Sequence, residues 1–453
     1  MDSWAVVVLA AGKGTRMVSS TPKVLHRICG KAMVQFPVDL ASDAGLRQKV
    51  IVVPQESQLI RETLGASVEY AEKTEPLGSG HALLQAEPSL RNVENLLVHH
   101  ADVPLTRVKT IEEMVRHHQA SGASITLLTA DLPEPNSLGR VVRSNSGSIV
   151  AVVEQGEADD ETLTVNEING GIYCFGTSWL WENLKTLSPS HRGEVFLTDL
   201  IALAAGQGQR VESVKSADNT EILGVNTRIE LARAEAVMLD RIRERWMLSG
   251  VTMPDAGSVY LSAAAQIGQD SVLLPNTHIT GDSRIGRNCQ IGPNSIVSDS
   301  QVGDGCRVTA SVVEESILEE SVSVGPFSHI RAGSRLERDV HIGNFAEVKN
   351  SRIGRGTKSG HFSYVGDAEL GRRVNIGAGT VTCNYDGSQK NQTRIGDDAF
   401  IGSDTMLVAP INIGARSSTG AGSVVTKDVP SDSTAVGAPA RVTHKKERRT
   451  AKE

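Results

Sequence analysis

Every sixth position is aliphatic in the stretch Ile267-Gly-Gln-Asp-Ser-Val-Leu273-Leu-Pro-Asn-Thr-His-Ile279-Thr-Gly-Asp-Ser-Arg-Ile285-Gly-Arg-Asn-Cys-Gln-Ile291. The spacing recurs further along the chain, at Val297, Val324, Ile330, Leu336, Ile342, Val348, Ile395, Ile401, Leu407, Ile413 and Val425. A period of six belongs neither to an α-helix, with about 3.6 residues per turn, nor to an alternating strand. It predicts a β-solenoid of three short strands per coil, with the aliphatic side chains of successive coils stacked inside.

The repeat loses its register in two places. One is near residues 313–321, and the other lies between Thr382 and Arg394, where Asn384-Tyr-Asp-Gly-Ser-Gln-Lys-Asn-Gln-Thr-Arg394 lacks the repeat. Loops inserted into a rigid solenoid commonly carry function, so we expect this second segment to protrude and to matter. Of the 43 glycines, 25 follow residue 249, which is the excess that solenoid corners require.

The first half of the chain predicts an α/β sheet domain. Residues 4–11 read WAVVVLAA, a continuous apolar run that Gly12 ends, as is typical of a parallel strand buried on both faces. Similar runs predict strands at Lys49–Val53, Asn95–His99, Ser124–Leu128 and Ile149–Val153, with a helix at Thr110–Gln119. Alternating strands and helices place this half in the α/β class.

A long helix is predicted between the two halves. Residues 226–248 contain neither Gly nor Pro, with Thr227 as a candidate N-cap and Gly250 just beyond the end. We therefore predict an α/β domain over residues 1–225 and a linker helix over residues 226–249. A hexapeptide-repeat domain follows over residues 250–441, and residues 442–453 form a basic C-terminal tail.

Composition excludes several classes of protein. The net charge of −7 over 453 residues argues against nucleic acid as a partner. The five cysteines are widely spaced and form no Cys-x-x-Cys pair, which argues against a disulfide framework or a zinc knuckle and favours a reducing cytosol. The N-terminus lacks a basic region, and its apolar run is far too short to span a bilayer, so we expect no signal peptide and no stable membrane association.

A glycine-containing loop follows the first predicted strand. It reads Leu9-Ala-Ala-Gly12-Lys-Gly-Thr-Arg16-Met17 and leads to Pro22-Lys23. Glycines at a strand-to-helix junction let the backbone approach a phosphate. Met17 replaces the third glycine of a dinucleotide fingerprint, and no Gly-Lys-Ser/Thr closes a Walker loop. Because Arg16 and Lys23 add two cations, the loop predicts a triphosphate site.

This loop resembles the signature of the sugar-1-phosphate nucleotidylyltransferases. Together with the hexapeptide half, nearly the entire chain is similar to the bacterial family of bifunctional UDP-N-acetylglucosamine pyrophosphorylases/glucosamine-1-phosphate N-acetyltransferases. The resemblance implies a GT-A/Rossmann-like nucleotidyltransferase domain and a left-handed parallel β-helix acetyltransferase domain, in a cytoplasmic homotrimer. It implies acetylation of glucosamine-1-phosphate by acetyl-CoA and then transfer of UMP from UTP with Mg²⁺. The products would be pyrophosphate and UDP-N-acetylglucosamine, for peptidoglycan and lipopolysaccharide synthesis.

For the uridylyltransferase half, the resemblance implies a set of binding residues. Leu9, Ala10, Ala11 and Gly12 would contact UTP, with Lys23 and Arg16 as catalytic cations on its phosphates. The segment Pro76-Leu-Gly78-Ser79-Gly-His-Ala matches the family's Leu-Gly-Thr-Gly-His-Ala, which implies uracil contacts for Gly78 and Ser79. Lys73 stands where the family generally has a uracil-binding Gln. Gly139, Glu154 and Asn169 match positions that hold the N-acetylglucosamine moiety.

A magnesium site is predicted at Asp102 and Asn226. Asp102 ends a predicted strand, in His100-Ala101-Asp102, where Ala101 replaces a family glycine. The resemblance assigns all three residues to the nucleotide and sugar site. Taken alone, a turn or a helix N-cap is the competing interpretation of this aspartate. The resemblance assigns it to Mg²⁺, with Asn226 as the second ligand, and Mg²⁺ is usually held by one or two protein oxygens plus phosphates and water.

Polar residues interrupt the aliphatic pattern within a few coils of the solenoid. The segment Lys358-Ser-Gly-His361-Phe-Ser-Tyr364-Val-Gly-Asp367 matches the family's acetyltransferase motif Lys-x-Gly-His-x-x-Tyr-x-Gly-Asp. Histidine can accept a proton near neutral pH, so His361 is the candidate base for the sugar amine. The resemblance implies that Glu347 orients His361 and that Arg331, Lys349, Tyr364 and Asn375 bind the sugar phosphate. It assigns acetyl-CoA contacts to Ala378, Asn384, Tyr385, Ser403 and Ala421, with Ser403 stabilising the thioester oxyanion.

The C-terminus departs from the family pattern. Ala438 stands where the family often has an arginine for acetyl-CoA. Either Arg441 or the basic tail Lys445-Lys446-Glu447-Arg448-Arg449 would take over that contact, and a solvated tail without this role is the alternative.

Two other functions are compatible with parts of the sequence. One is a single-activity sugar-1-phosphate nucleotidylyltransferase with a structural β-helix, against which the polar cluster around His361 argues. The other is a non-catalytic trimeric scaffold, which predicts that replacing Asp102 and His361 leaves function unchanged.

Overall fold

The computed structural model describes residues 3–75, 77–90, 93–132, 138–189 and 193–444. The chain divides into two compact units, Met1–Met238 and Leu239–Glu453. The division falls inside one long helix, Arg228–Leu248, in the segment for which a linker helix is predicted.

The first unit alternates strands and helices. Its strands are β1 (Trp4–Leu9), β2 (Arg27–Ile28), β3 (Lys31–Ala32), β4 (Gln48–Pro54), β5 (Glu69–Lys73), β6 (Asn95–His100), β7 (Ile125–Asp131), β8 (Arg140–Arg143), β9 (Ile149–Val153), β10 (Glu167–Gly176) and β11 (Val211–Lys215). Its helices are α1 (Gln35–Asp43), α2 (Gln58–Leu64), α3 (Gly78–Leu84), α4 (Val108–Ser121), α5 (Asp160–Leu163), α6 (Thr177–Leu184), α7 (Asp199–Gly206) and the start of α8 (Arg228–Leu248). No helix in the described ranges is long and apolar enough to cross a membrane.

The central sheet has the strand order β11-β7-β10-β6-β1-β4-β5. β1 is parallel to both neighbours, with Val7 opposite Val50 of β4 and Val98 of β6. All five predicted strands are confirmed to within a few residues, and the predicted helix forms most of α4. The sheet is nevertheless mixed, because β10 runs antiparallel to β6 and β7. The last of the predicted strands, β9, pairs with β8 in a hairpin attached to β10.

Two apolar cores cover the faces of this sheet. Successive side chains of a strand point to opposite faces, so Val6 and Val8 join one core while Val7 and Leu9 join the other. The three valines are completely buried, which explains the unbroken apolar run at the sequence level.

The long helix begins with a capping box. The Thr227 side chain accepts a hydrogen bond from the backbone of Glu230 at 3.2 Å, and the Glu230 carboxylate accepts one from the backbone of Thr227 at 2.8 Å. These reciprocal bonds satisfy amide groups that have no partner inside the helix. Thr227 is thus the N-cap, as predicted.

The second unit is a three-sided parallel β-helix. Its first sheet contains Tyr260–Leu261, His278–Thr280, Ile296–Ser298, Val312–Glu314, His329–Arg331, Ala346–Lys349, Ser363–Gly366, Val381–Cys383, Met406–Val408 and Val424–Val425. Its second sheet contains Gln266–Ile267, Arg284–Ile285, Gln301–Val302, Ile317–Leu318, Arg335–Leu336, Arg352–Ile353, Ala368–Leu370, Thr393–Ile395 and Ile411–Ile413. Its third sheet contains Val272–Leu273, Gln290–Ile291, Arg307–Val308, Ser323–Val324, His341–Ile342, Lys358–Ser359, Asn375–Ile376, Phe400–Ile401, Ser418–Thr419, Ser433–Gly437 and Ala440–His444.

Aliphatic residues stack between successive coils as the six-residue spacing predicts. Ile267 lies over Ile285 and Leu273 over Ile291, and every predicted inward position is buried. At the first predicted break the stacking continues with shorter coils, since Val297 lies over Val313. At the second, Leu370 is paired with Ile395, and residues 384–392 form the predicted loop between two strands.

Glycines at the corners permit close contact between coils. A Cβ atom at Gly268 would lie 2.5 Å from the carbonyl carbon of Gly286 in the next coil. Such a contact is too short for any side chain, so glycine is required at this corner. The glycine that follows an inward isoleucine thus serves the packing of the solenoid.

Candidate active sites

Three polar side chains from distant parts of the chain meet in the first unit. The ammonium group of Lys23 donates hydrogen bonds to the carboxylate of Asp102 and to the amide oxygen of Asn226, which is 2.9 Å away. Burial raises the pKa of Asp102, but the charge and hydrogen bond of Lys23, with a contribution from His100, outweigh it and hold that pKa below its usual value. Asp102 is therefore a carboxylate at neutral pH.

The fold places these residues together at the carboxyl end of β6. Lys23 begins a short 3-10 helix, and Asp102 follows β6. The carbonyl of Asp102 accepts a hydrogen bond from the backbone of Val225 at 2.8 Å, which places Asn226 beside the carboxylate. The Glu230 carboxylate accepts a further bond from the backbone of Asn226 at 2.7 Å. The cap of the long helix therefore also fixes Asn226.

Two adjoining cavities of about 200 Å³ each open beside this cluster. They share Ser79, His100 and Asp102. The first cavity is lined by predicted nucleotide residues, namely Leu9, Ala11, Gly12, Lys23, Lys73, Gly78, Ser79, His100 and Asp102. The second is lined by the predicted sugar residues Gly139, Glu154 and Asn169, and by Asn226. The structure thus brings the predicted nucleotide and sugar residues to neighbouring cavities.

Three predicted residues lie outside these cavities. Ala10 and Ala101 are buried in the core, at 2% and 0% exposure. Arg16 is exposed on the 3-10 helix Thr15–Met17. In the same loop, Gly14 has φ 63°, and a Cβ atom there would lie 2.5 Å from the Cβ of Lys23. Gly14 therefore allows the loop to pack directly on Lys23.

Lys73 reaches the nucleotide cavity from the end of β5. Its ammonium group donates a hydrogen bond to the carbonyl of Gly78 at 2.9 Å. Burial lowers the pKa of Lys73, and the nearby Glu194 carboxylate partly offsets this. Gly78 has φ 95°, and the backbone of Val195 fills the space that a Cβ would need. Pro76, from the same predicted uracil segment, lies outside the described residues.

Side chains of the second cavity are held by neighbours that the sequence did not reveal. The Thr198 hydroxyl donates a hydrogen bond to the Glu154 carboxylate at 3.1 Å, while burial raises the pKa of Glu154. The Asn169 amide donates to the Tyr173 hydroxyl at 2.6 Å and accepts from the backbone of Gly171 at 3.2 Å. Asn169 is thereby fixed in one orientation at the cavity wall.

The oxygens of Asp102 and Asn226 fit a hard divalent cation. Both bind the ammonium group of Lys23, so the cluster already holds one positive charge between two oxygen donors. Mg²⁺ prefers oxygen ligands and keeps several waters or substrate oxygens. The described residues include no group of three or more His, Cys, Asp and Glu side chains that could hold a metal. A magnesium site formed by Asp102, Asn226 and substrate phosphates therefore stays a prediction.

In the solenoid, predicted sugar-phosphate residues share the first sheet. Arg331 lies beside Lys349 in the neighbouring strand, and Glu347 lies beside Tyr364. The guanidinium group of Arg331 donates a hydrogen bond to the Glu347 carboxylate at 2.7 Å. Among the described side chains, Glu347 therefore bonds to Arg331 rather than to His361, which it is predicted to orient.

The corner between the third and first sheets carries His361. His361 and Ala378 occupy corresponding places in successive coils, since the next residues are joined by a backbone bond from Gly379 to Phe362 at 2.8 Å. Two further acetyl-CoA candidates follow at the same corner, namely Ser403 and Ala421. Asn375 lies on the third sheet, on the other side of the corner from Tyr364. His361 is exposed, so a substrate amine can reach it.

The predicted loop is internally bonded. The Asp386 carboxylate accepts hydrogen bonds from the backbone of Gln389 and of Ser388, and from the Asn391 amide. The base of the loop is fixed by Asn384, whose amide donates a hydrogen bond to the Tyr364 hydroxyl at 3.3 Å. Tyr385 is 62% exposed at the start of the loop. The loop therefore presents Tyr385 to solvent while Asn384 lies against the sugar-phosphate residues.

The structure adds Asp367 and Lys390 to this site. Close contact with the Lys349 side chain and the positive charge of that group lower the pKa of Lys390. The Asp367 carboxylate lies 3.7 Å from Lys349. The sequence gives only weak signals for these two site residues. Asp367 ends the acetyltransferase motif, and Lys390 is a lone cation in the loop.

The C-terminal acetyl-CoA candidates lie at the last hairpin. Ala438 is in the turn between the strands Ser433–Gly437 and Ala440–His444. Arg441 is exposed on the second of these strands. Residues 445–449 of the basic tail lie outside the described residues.

A wider groove of about 730 Å³ runs along the second sheet of the solenoid. Two of its arginines form ion pairs, Arg352 with Glu337 and Arg394 with Glu369. The groove contains none of the predicted site residues, so its size alone does not make it a competing active site.

Different family models match the first and second halves of the chain. A nucleotidyl transferase model matches residues 5–247. A bacterial transferase hexapeptide model of six repeats matches residues 264–299, and a GlmU-like C-terminal hexapeptide model matches residues 289–371. A hexapeptide repeat of succinyl-transferase matches residues 392–427. These matches are consistent with a left-handed β-helix in the second unit.

Full-length relatives combine both parts. The bifunctional protein GlmU of Heliobacterium modesticaldum is 44% identical over 438 residues, covering 96% of each chain. The bifunctional protein GlmU of Halalkalibacterium halodurans is 44% identical over 449 residues, covering 98% of each chain. That of Pelobacter propionicus is 42% identical over 441 residues. The chain therefore belongs to the family of bifunctional GlmU proteins.

Proposed function

We propose that the cavities of the first unit perform uridylyl transfer and that the His361 corner of the second unit performs acetyl transfer. As a bifunctional GlmU protein, the chain is an acetyltransferase and a uridylyltransferase for UDP-N-acetylglucosamine synthesis. The observation that carries the residue assignment is that two polar clusters lie in different units. One surrounds Asp102, and the other contains Tyr364 and Asn384, on the strand and loop that follow His361.

For uridylyl transfer, the phosphate of N-acetylglucosamine-1-phosphate attacks the α-phosphorus of UTP. The bond from that phosphorus to the bridging oxygen breaks, and pyrophosphate leaves. Charge accumulates on the phosphoryl oxygens, so positioning and neutralisation account for most of the catalysis. We assign Lys23 to the phosphates, with Arg16 reaching them from its exposed loop. Glu154 and Asn169 orient the sugar in the second cavity.

We assign Asp102 and Asn226 to Mg²⁺. When bound there, Mg²⁺ supplies positive charge to the phosphates of UTP. A cation held by these two oxygens would take the place of the Lys23 ammonium group, whose flexible side chain could then reach the triphosphate. In the structure, the ammonium group of Lys23 balances the charge of the Asp102 carboxylate.

Chelation of divalent metal should separate the two activities. We expect excess EDTA to reduce pyrophosphate release by at least about 10³-fold, because the charge on the phosphates is no longer neutralised. Release of CoA thiol from acetyl-CoA and glucosamine-1-phosphate should stay unchanged in the same sample. Added Mg²⁺ should restore the first rate. Equal loss of both rates would contradict a metal role confined to the Asp102 site.

Replacement of Lys73 should change base selection. An ammonium group only donates hydrogen bonds, so it favours the keto oxygens of uracil over the amino group of cytosine. We expect Lys73→Met to lower the preference for UTP over CTP by about tenfold, which is roughly 1.4 kcal/mol. The ratio of UTP to dTTP serves as the control, because both bases carry the same keto groups. An equal loss with all three nucleotides would show that Lys73 does not read the base.

For acetyl transfer, the amine of glucosamine-1-phosphate attacks the thioester carbonyl of acetyl-CoA. We assign His361 to accept the amine proton as the new C–N bond forms, after which the C–S bond breaks and CoA leaves. Arg331, Lys349 and Lys390 bring three cations to one face, and the mutual repulsion of the two lysines favours an anion between them. The sugar phosphate is that anion, with Tyr364 and Asn375 on the sugar. Ser403 stabilises the thioester oxyanion.

We further propose a homotrimer in the cytoplasm. Phe327 and Phe345 stack at 5.4 Å at a solenoid corner and are each more than half exposed, which supports burial against another copy. The five cysteines all lie in the described ranges and form no disulfide with one another, which suits a reducing compartment. Light scattering should give a mass about three times the 48.3 kDa of the chain.

One coupled assay tests the proposed function. The purified protein receives glucosamine-1-phosphate, acetyl-CoA, UTP and Mg²⁺, and thiol and pyrophosphate are measured together. We expect both products, with pyrophosphate delayed until the acetylated sugar accumulates. Pyrophosphate from supplied N-acetylglucosamine-1-phosphate without any thiol would instead support the single-activity alternative. If neither product forms, the non-catalytic scaffold is supported.

A further inference from the structure

Asp367 lies where the two substrates of acetyl transfer would meet. It follows the strand Ser363–Gly366 at a solenoid corner and has φ 48°. Aspartate is one of the few residues with a side chain that adopts this left-handed conformation readily. Its side chain is only 12% exposed, so the carboxylate depends on protein groups rather than water.

Each oxygen of this carboxylate has a defined partner. Oδ1 accepts a hydrogen bond from the Asn350 amide at 2.7 Å. Oδ2 accepts one from the Asn384 amide and lies 3.7 Å from the ammonium group of Lys349. Lys349 belongs to the sugar-phosphate residues and Asn384 to the acetyl-CoA residues. A single oxygen therefore contacts a group from each binding site.

The backbone of Asp367 also links the strand of Lys349 to the loop that begins at Asn384. Its amide donates to the carbonyl of Lys349 at 3.0 Å, and its carbonyl accepts from the amide of Thr393 at 3.2 Å. Asn384 begins the protruding loop and Thr393 follows its end. Asp367 thus contacts both ends of the loop and the strand that carries Lys349.

The carboxylate also determines whether the oxygen or the nitrogen of the Asn384 side-chain amide faces a substrate. The nitrogen of that amide donates to Asp367 and to the Tyr364 hydroxyl. An ionised carboxylate only accepts hydrogen bonds, so the amide cannot turn around without losing this bond. Burial raises the pKa of Asp367, but Asn350, Asn384, Lys349 and Lys390 together lower it, which keeps the group ionised. The amide oxygen of Asn384 is therefore the half left for a ligand.

We propose that Asp367 is a positioning residue for acetyl transfer, which holds Lys349 and Asn384 in one arrangement and so couples binding of the sugar phosphate to binding of acetyl-CoA. The inference rests on the proposed assignment of acetyl transfer to this site. It predicts that each substrate lowers the KM of the other in the native protein. Without the carboxylate, this mutual effect should disappear.

The test uses the full-length protein and the variant Asp367→Asn, which keeps the size of the side chain but removes its charge. We expect kcat/KM for thiol release to fall by about 10–100-fold, mainly through higher KM for both substrates, because charge-assisted hydrogen bonds are lost. Uridylyl transfer from UTP to supplied N-acetylglucosamine-1-phosphate should remain unchanged in the same preparation. The matched control is Asp398→Asn, another left-handed corner aspartate, which pairs with Arg373. It should leave both activities unchanged.

Two further variants keep the proposal falsifiable. Asp367→Gly removes the carboxylate at a φ that glycine adopts without strain, so it should match Asp367→Asn if the carboxylate is what matters. Combining Asp367→Asn with Lys349→Gln should cost less than the sum of the single losses, because the two act as a unit. Additive losses, an unchanged KM, or unfolding of both Asp367 variants would overturn the positioning role. A native protein that releases no thiol would instead reject the assignment of acetyl transfer itself.

Discussion

Asp102→Asn should reduce uridylyl transfer by about 10³-fold, roughly 4 kcal/mol of transition-state stabilisation. The substitution removes the negative charge that we assign to Mg²⁺ but keeps an oxygen that can accept the hydrogen bond from Lys23. The cluster therefore stays assembled while its affinity for a divalent cation falls. The measurement is the rate of pyrophosphate release with UTP and N-acetylglucosamine-1-phosphate at several Mg²⁺ concentrations. A partial rescue at high Mg²⁺ would identify metal binding as the lost step.

Two controls separate this effect from damage to the fold. Thiol release by the same variant should remain at the native rate, because the acetyl transfer residues lie in the other unit. Asp131→Asn provides a matched carboxylate, since Asp131 also ends a strand and pairs with a lysine, Lys215. It should leave both rates unchanged. An Asp102→Asn protein with native pyrophosphate release would remove the carboxylate from the mechanism.

Much of the fold follows from spacings that are visible in the sequence. The six-residue period predicts the inward side chains correctly because each coil repeats the same three short strands, so local spacing and final position coincide. The coil from Val297 to Val313 is shorter than three six-residue periods, and the spacing alone shows this only as a break. The antiparallel β10 was not predicted, because the direction of a strand in a sheet depends on distant pairing rather than on its own residues.

The active-site residues, too, could be predicted only in part from the sequence. Residues next to a recognisable motif, such as Lys23 and Ser79, line the predicted cavity. Ala10 and Ala101 belong to the same motifs but are buried in the core, because the alternation of each strand continues one residue past its end. Lys390 meets Lys349 only because the loop folds back on the solenoid, which neither motif nor period encodes.

The largest effect on acetyl transfer should come from His361. We expect His361→Gln to lower thiol release by about 10²–10⁴-fold, the range for loss of a general base, because glutamine cannot accept the amine proton. KM values should change little, since the phosphate and acetyl-CoA contacts are assigned to other side chains. The measurement is kcat for thiol release, with uridylyl transfer in the same protein as the reference rate.

His341→Gln is the matched control for this variant. His341 lies on the same sheet as the strand that leads into His361, is exposed, and hydrogen-bonds to Ser323 at 2.7 Å. Its replacement should leave thiol release unchanged, so a general effect of removing a surface histidine is excluded. Because each unit carries its own chemistry, Asp102→Asn and His361→Gln mixed in one tube should together make UDP-N-acetylglucosamine, the acetylated sugar passing between them through solution. Failure of the mixture would mean that the two sites do not work independently.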